Sequence, residues 1–432
     1  MIVKRRAGEI KDPVHGYIYF SEAERKLIDS LPLQRLRRIR QLAGSELTYP
    51  GACHTRFLHS LGVMHLSGLM AERLVELGYV DEDCAIKLRL AGLLHDVGHG
   101  PFSHVYEEVL RERRGLSHED LTVRIIEGSE LKDLLSDEGF DEHEIAKLCV
   151  GGVEEVGKRF LNQVVVGRLS PDTMDYILRD SYFTGVGFGQ VDVHRLIDSL
   201  DVIDDQLAVD CPGGLYVLEA FIIARLELFN AVYFHRTVRA ANVMLSRAMS
   251  YADEYLGLTE VDDVGRFLSM DDARVEEMVL SLEGGVEAKV ARELMSMYRA
   301  RNLLKSTFEV VIHGNVDSIA SQLERASVRR RLEEEVAEEA GVDPHYVIVD
   351  APSVLSMPVH PKDGAELLVL RRGPRGREAL RVTKVSPLLS SLSRFTDVVR
   401  VYTLSEHRNA VAEACGKVFG EGGLLGSSLP RA

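Results

Sequence analysis

From about residue 20 to residue 310, apolar side chains return every three or four positions with polar ones between them, the period that turns one helix face inward. Helices are predicted over 23–31, 32–41, 59–77, 83–97, 105–113, 118–128 and beyond, separated by short connections that carry glycine or proline. In one of them Ile86, Leu90, Leu93, Leu94 and Val97 form the apolar stripe. This leaves His95 and Asp96 near the last turn, before Gly98, Gly100 and Pro101 stop the helix. Alternating residues about a turn predict a small hairpin over 9–20, and a second short hairpin is expected over 206–216, with Cys211-Pro-Gly-Gly214 inside it. After about Lys305, strand-like runs at 308–312, 346–349, 367–370 and 398–402 alternate with helices. Loop signals stand at 352–364 and 373–376, and the tail 422–432 reads as loose. The expected fold is mainly α: an all-helical core with a small N-terminal hairpin and a C-terminal α+β domain, divided as 1–50, 51–305 and 306–432.

Composition supports a well-packed chain, since 432 residues with 45% apolar content can bury a large core in two to three domains. A net charge of −15 opposes general attraction to nucleic acid, so a polyanionic substrate must be met locally, by a metal or a few arginines. The basic run Gln34-Arg-Leu-Arg-Arg-Ile-Arg40 reads as a solvated helix face. Arg329-Arg-Arg-Leu-Glu-Glu-Glu335 reads as a salt-bridged surface. Five scattered cysteines, an odd count, argue against a disulfide framework and fit a reducing cytoplasm. The start lacks a signal-peptide core, and the most apolar stretch, 215–229, is interrupted by Glu219, Arg225 and Glu227, so no membrane span is expected.

The adjacent imidazole and carboxylate of His95-Asp96 can share one cation. His59 opens another amphipathic helix and Asp172 follows Pro171 at a helix start, so two histidines and two aspartates are expected to converge. This cysteine-free nitrogen and oxygen set suits one divalent transition metal (iron, manganese, cobalt, nickel or zinc) or magnesium, with positions left open for water and a phosphate oxygen. His99, His104 and His118 follow closely; histidine suits proton donation near neutral pH, and Glu107, one turn after His104, can orient its ring. Ser117 and Asp120 form a capping pattern, and Asp175 and Arg179 stand as an i,i+4 pair.

Several longer motifs stand in one order: Asp12-Pro-Val-His-Gly16, Gln34-Arg-Leu-Arg37, Gln41-Leu42, Arg56-Phe-Leu-His-Ser-Leu-Gly-Val63, Ala91-Gly-Leu-Leu-His-Asp-Val-Gly-His-Gly-Pro-Phe-Ser-His104, Ser117-His-Glu119 and Asp172-Thr-Met-Asp-Tyr-Ile-Leu-Arg-Asp180. Over about residues 9 to 250 the chain thereby resembles the HD-domain phosphohydrolases. It is most similar to the branch of deoxynucleoside triphosphate triphosphohydrolases, the sterile alpha motif type included, without a match to the sterile alpha motif itself.

The resemblance implies a metal on His59, His95, Asp96 and Asp172, and attack of metal-bound water on the α-phosphorus of a dNTP, releasing deoxynucleoside and triphosphate. It implies His104 as proton donor or phosphate-facing group supported by Glu107, with His99 and His118 around the phosphates. Arg56 would contact phosphate; Gln41, Tyr176 and Asp180 would surround the sugar; His235 and Arg236 would line the pocket. Lys11, Asp29, Gln34 and Arg37 match parts of a regulatory nucleotide pocket of the family, which implies a nucleotide activator and a homo-oligomer, dimer or tetramer. Two other readings keep the same residues: a phosphatase or phosphodiesterase acting on another nucleotide or phosphoester, and a non-catalytic nucleotide-binding oligomeric scaffold.

Overall fold

Ser21 and Glu24 close a capping box at the start of the helix Glu22–Ile28, and Pro32, in the first turn of Leu31–Arg35, starts the next one. The chain therefore breaks at Asp29-Ser30, and the second helix tightens into a 3₁₀ turn, Leu36–Arg38, before its expected end. These elements belong to a computed structural model that describes residues 6–312, 323, 325–351, 367–374, 376–392 and 397–420. The expected loop 352–364 and tail 422–432 lie outside the described residues. None of the described helices is long and apolar enough to cross a membrane.

Among the described residues, nine strands form three small sheets in a mainly helical chain. They are β1 (Gly8–Asp12), β2 (Gly16–Phe20), β3 (Leu200–Ile203), β4 (Gln206–Cys211), β5 (Lys305–Ile312), β6 (Ile348–Asp350), β7 (Leu368–Gly373), β8 (Gly376–Arg381) and β9 (Asp397–Thr403). The sheets run β1-β2, β3-β4-β7-β8 and β5-β9-β6. Among the described residues two compact units result: those within Met1–Leu228, Thr259–Val275 and Pro361–Ser391 make the first, and those within Phe229–Leu258, Glu276–His360 and Leu392–Ala432 the second. Residues 229–258 and 276–305, expected with the helical core, sort with the second unit, while β7 and β8 sort with the first, because β7 pairs in parallel with β4.

At the centre of the first unit the helices Arg56–Glu76 and Glu82–Leu94 pack together, each buried along most of its length. Glu82–Leu94 ends before the expected 97. Thr122 accounts for the break, donating from its hydroxyl to the His95 carbonyl (2.9 Å) and accepting from the Gly98 N–H (3.1 Å). A Cβ at Gly98 would overlap the His118 carbonyl, so only glycine admits this approach.

The expected hairpin over 206–216 turns elsewhere. β4 pairs with β3 across Asp204-Asp205, both left-handed (φ 53° and 61°), a conformation aspartate tolerates. Cys211-Pro-Gly-Gly214 instead leads from β4 into the helix Leu215–Leu228. The solvated reading of the basic run fails at Arg35, which is fully buried and donates to the carbonyls of Met270 and His99, each at 2.8 Å.

In the second unit, the antiparallel sheet β5-β9-β6 carries the helices Ala326–Ala340 and Arg408–Phe419, with Val336, Val349, Val401, Val411 and Phe419 in the core. Arg239 and Arg247 of the helix Arg236–Leu256 pair with Asp350 (2.6 Å) and Glu333 (2.7 Å). Arg331 pairs with Glu335 on the surface, as the charge pattern predicts.

Phe102 and Ser103, which lead into the helix His104–Arg114, sit at φ 60° and 57°, a strained region for side-chain-bearing residues. The buried Asp272 holds them there: its carboxylate accepts the Phe102 N–H (2.7 Å) and the Arg40 N–H (3.0 Å). Asp272→Ala leaves the buried Phe102 N–H and the part-buried Arg40 N–H unsatisfied and should lower stability by on the order of 3 kcal/mol in urea unfolding. An unchanged midpoint would show that Asp272 does not hold this turn.

Candidate metal centre

Three segments bring His59, His95, Asp96 and Asp172 to one place. His59 stands in the first turn of Arg56–Glu76, His95 and Asp96 follow Leu94 at the helix break, and Asp172 follows Pro171 in the first turn of Pro171–Thr184. His59 Nε2 lies 3.0 Å from Asp172 Oδ1 and 3.7 Å from Asp96 Oδ2, and His95 Nε2 lies 3.3 Å from Asp96 Oδ1 and 3.9 Å from Asp172 Oδ1. His59, His95 and Asp96 are buried and their ligating atoms are mutually close enough to hold a metal ion.

The residues fit a cation on two further grounds. His95 Nδ1 donates to the Gly92 carbonyl (2.9 Å), which leaves the lone pair on Nε2, and that buried atom has no hydrogen-bond partner. Burying an unpaired acceptor is costly, and an oriented imidazole nitrogen is what a metal ion takes. The local field also favours positive charge. Burial alone would lower the His59 pKa, yet hydrogen bonds to Asp172 and Asp175 push it up to about 10. Burial would raise Asp96, but Arg56, His95 and His99 hold its carboxyl well below the usual range.

The local Asp175–Arg179 pair expected from spacing exists, with Nε to Oδ2 at 2.8 Å, but it does more. Asp175 Oδ2 also accepts from His59 Nδ1 (2.8 Å), Oδ1 contacts His15 Nε2 (2.6 Å), and Arg179 reaches Asp12 (2.8 Å). Sequence reasoning missed these partners as site residues; Asp12-Pro-Val-His-Gly16 was the one visible signal.

Beside this cluster stand the remaining histidines. His99 Nε2 lies 3.3 Å from Asp96 Oδ1, and its ring stacks on His118 at 3.9 Å and meets His104 edge-on at 4.9 Å. Glu107 joins the other two, contacting His104 Nδ1 at 2.9 Å and His118 Nδ1 at 3.0 Å, with Arg111 at 2.9 Å. Ser117 and Asp120 do form a capping box, and His118 turns inward to Glu107. Burial would lower His118, but its bond to Glu107 raises it; burial would raise Glu107, but the bonds from His104 and His118 lower it. Burial and the Arg56 charge lower His99 well below its ordinary value. His104 is the exposed member, two-thirds open to solvent (66%). Arg56 binds Asp96 (2.7 Å) and Ser103 (2.9 Å), and its buried Nη2 has no partner.

Of the other candidates, Gln41 is buried with Oε1 unpartnered, Asp180 binds His54 Nε2 (2.7 Å), and Tyr176 hydrogen-bonds Arg225. His235 caps the helix Arg236–Leu256 in the second unit, where Arg236 lines a cavity of about 350 Å³ with Arg301, Lys305 and Arg408. The exposed Lys11 lies over the Tyr17 ring (4.0 Å), Asp29 pairs with Arg25 (3.7 Å), and Gln34 accepts from Arg37 (2.9 Å), which stacks on Phe57 (3.6 Å). A cavity of about 660 Å³, lined by Tyr79, Cys84, Lys87 and Glu144 among others, includes none of the candidate residues.

Residues 56–150 match the HD domain family and residues 191–421 the HD associated region. The chain is 30% identical over 404 residues to the uncharacterized protein YwfO of Bacillus subtilis, covering 89% of this chain and 88% of that protein. It is 30% identical over 336 residues to the deoxynucleoside triphosphate triphosphohydrolase SAMHD1 homolog of Dictyostelium discoideum, covering 73% of this chain and 63% of the relative. It thus spans just under two thirds of that relative's length. A crystal structure of a phosphohydrolase from Bacteroides thetaiotaomicron superposes with a TM-score of 0.72 at 25% identity, covering 92% of this chain and 100% of that one.

A divalent cation such as Mn(II), added to chelator-treated protein, should raise the melting temperature. At a hundredfold excess over Kd the gain is about 2.7 kcal/mol. His95→Ala should abolish most of that gain. A melting temperature indifferent to both cation and chelator would exclude the centre.

Proposed function

The chain belongs to the HD-domain phosphohydrolases and is a hydrolase, and on that premise we propose that it cleaves deoxynucleoside triphosphates to deoxynucleoside and triphosphate. The observation that carries this reading is the junction of two clusters. Residues suited to a cation share Asp96 with a group of histidines suited to a chain of phosphates.

A cation held by His59, His95, Asp96 and Asp172 would lower the pKa of a water and draw charge from the phosphorus; iron, manganese, cobalt, nickel, zinc and magnesium all suit this donor set. Arg56 presents its unpartnered buried Nη2 to a phosphate oxygen, and His118, its positive charge favoured by Glu107, adds a second donor with His99 beside it. In this reading His104 supplies the proton. Glu107 fixes its Nδ1 side, so the Nε2 proton passes to the departing 5′-oxygen as the bond from that oxygen to the α-phosphorus breaks and the bond to the water oxygen forms. Gln41, Tyr176 and Asp180 are assigned to the sugar, and Lys11, Asp29, Gln34 and Arg37 to a regulatory nucleotide in a cytoplasmic dimer or tetramer.

The test is a panel of the four dNTPs with metal-loaded protein, with and without GTP or dGTP, and chromatography of the products. Deoxynucleoside with triphosphate is expected. His104→Gln should lower kcat by roughly 10²- to 10⁴-fold with little change in KM. Orthophosphate as product would point to another phosphoester substrate, and no turnover of any dNTP would overturn the reading.

A further inference from the structure

His59 is the one candidate ligand whose far ring nitrogen is held by a carboxylate: Nδ1 meets Asp175 Oδ2 at 2.8 Å, which keeps the Nε2 lone pair on the side of Asp172 and Asp96. Asp175 is itself held on every side. Arg179 binds both of its oxygens (2.8 and 2.9 Å), and His15 takes Oδ1 at 2.6 Å. Arg179 ends on Asp12 Oδ2 at 2.8 Å, while Asp12 Oδ1 accepts the N–H groups of Val14 and His15, each at 2.8 Å. The side chains of Asp12, His15, His59, Asp175 and Arg179 are all 3% exposed or less, so these bonds are shielded from bulk water.

We propose that the turn between β1 and β2 is a working part of the metal centre: Asp12 and His15 are positioning residues that act on His59 through Asp175 and Arg179. The inference rests on the metal-centre reading above. A hairpin that only had to dock would do so more cheaply with apolar side chains, because a buried ion network rarely adds stability over well-packed apolar residues. What such a network supplies is a fixed geometry, and here Asp12 holds Arg179 and the turn of His15, and both of those side chains end on the carboxylate that holds a ligand ring. The helix of His59 is shaped to receive that carboxylate. Gly62 lies three residues after His59, and a Cβ there would overlap both the Asp175 carboxylate and the Arg179 guanidinium. The turn is equally specific, with Asp12 closing it, His15 pointing inward and Gly16 at φ 76°.

The experiment titrates Co(II) into the chelator-treated full chain, reading affinity and the visible d–d spectrum for wild type, Asp175→Asn, His15→Gln and Gly62→Ala, with circular dichroism as the folding control. Asp175→Asn is expected to weaken Co(II) binding by roughly 10- to 100-fold and to shift the d–d bands. His15→Gln and Gly62→Ala should act in the same direction by smaller factors. A role confined to holding the hairpin down would lower the melting temperature and leave affinity and spectrum unchanged in the folded protein, and that result overturns the proposal. If Asp175→Asn does not fold, His15→Gln decides alone by the same criterion. A wild-type chain that binds no Co(II) removes the centre itself, whereas wild-type binding matched by the variants removes only the positioning role.

Discussion

Burying charge is the constraint around which the first unit is organised. Arg56, Asp96, Asp175 and Arg179 are all buried, together with the His59 ring, and each would cost several kcal/mol if left without a compensating partner in so dry a place. Every one of them has such a partner, and the partners come from elements far apart in the chain: the first hairpin, the two central helices and the helix Pro171–Thr184. Displacing one element therefore uncovers charges on the others. This ties the fold to the site more tightly than apolar packing alone would, because apolar contacts tolerate small shifts and directed charge pairs do not.

The same logic governs the backbone after Leu94. Thr122 ends the helix and Asp272 holds Phe102 and Ser103 in left-handed conformations, so His95, Asp96, His99 and His104 leave a short, irregular segment in different directions. A continuous helix would place His95 and His99 one above the other on one face and turn Asp96 about 100° away from His95. Broken as it is, the segment lets Asp96 contact His95 and His99 at equal distances of 3.3 Å.

Much of this was legible in the sequence. The convergence of His59, His95, Asp96 and Asp172 could be read from motifs at helix starts and stops, and so could the service of Glu107 to His104. The N-terminal hairpin was also visible, because its alternation is strong. Three things were hidden, each for a physical reason. Asp175 and Arg179 already satisfy each other at i,i+4, so nothing in their spacing points to a histidine 116 residues away. Arg35 stands in a run of cations that reads as solvent-facing, and only tertiary carbonyls reveal its burial. The turn of the second hairpin falls at Asp204-Asp205, a weaker turn signal than the nearby Pro-Gly-Gly, which serves a helix start instead.

The sheet that joins β4 to β7 has a consequence for how the chain is made. Ala208 pairs with Leu368, so β4 waits for a strand synthesised long after it. Until then β4 has a neighbour on one edge only, and its other row of N–H and C=O groups stays open to any extended peptide. The first unit therefore cannot complete this sheet until β7 has been made, and until then the growing chain carries an adhesive border along β4.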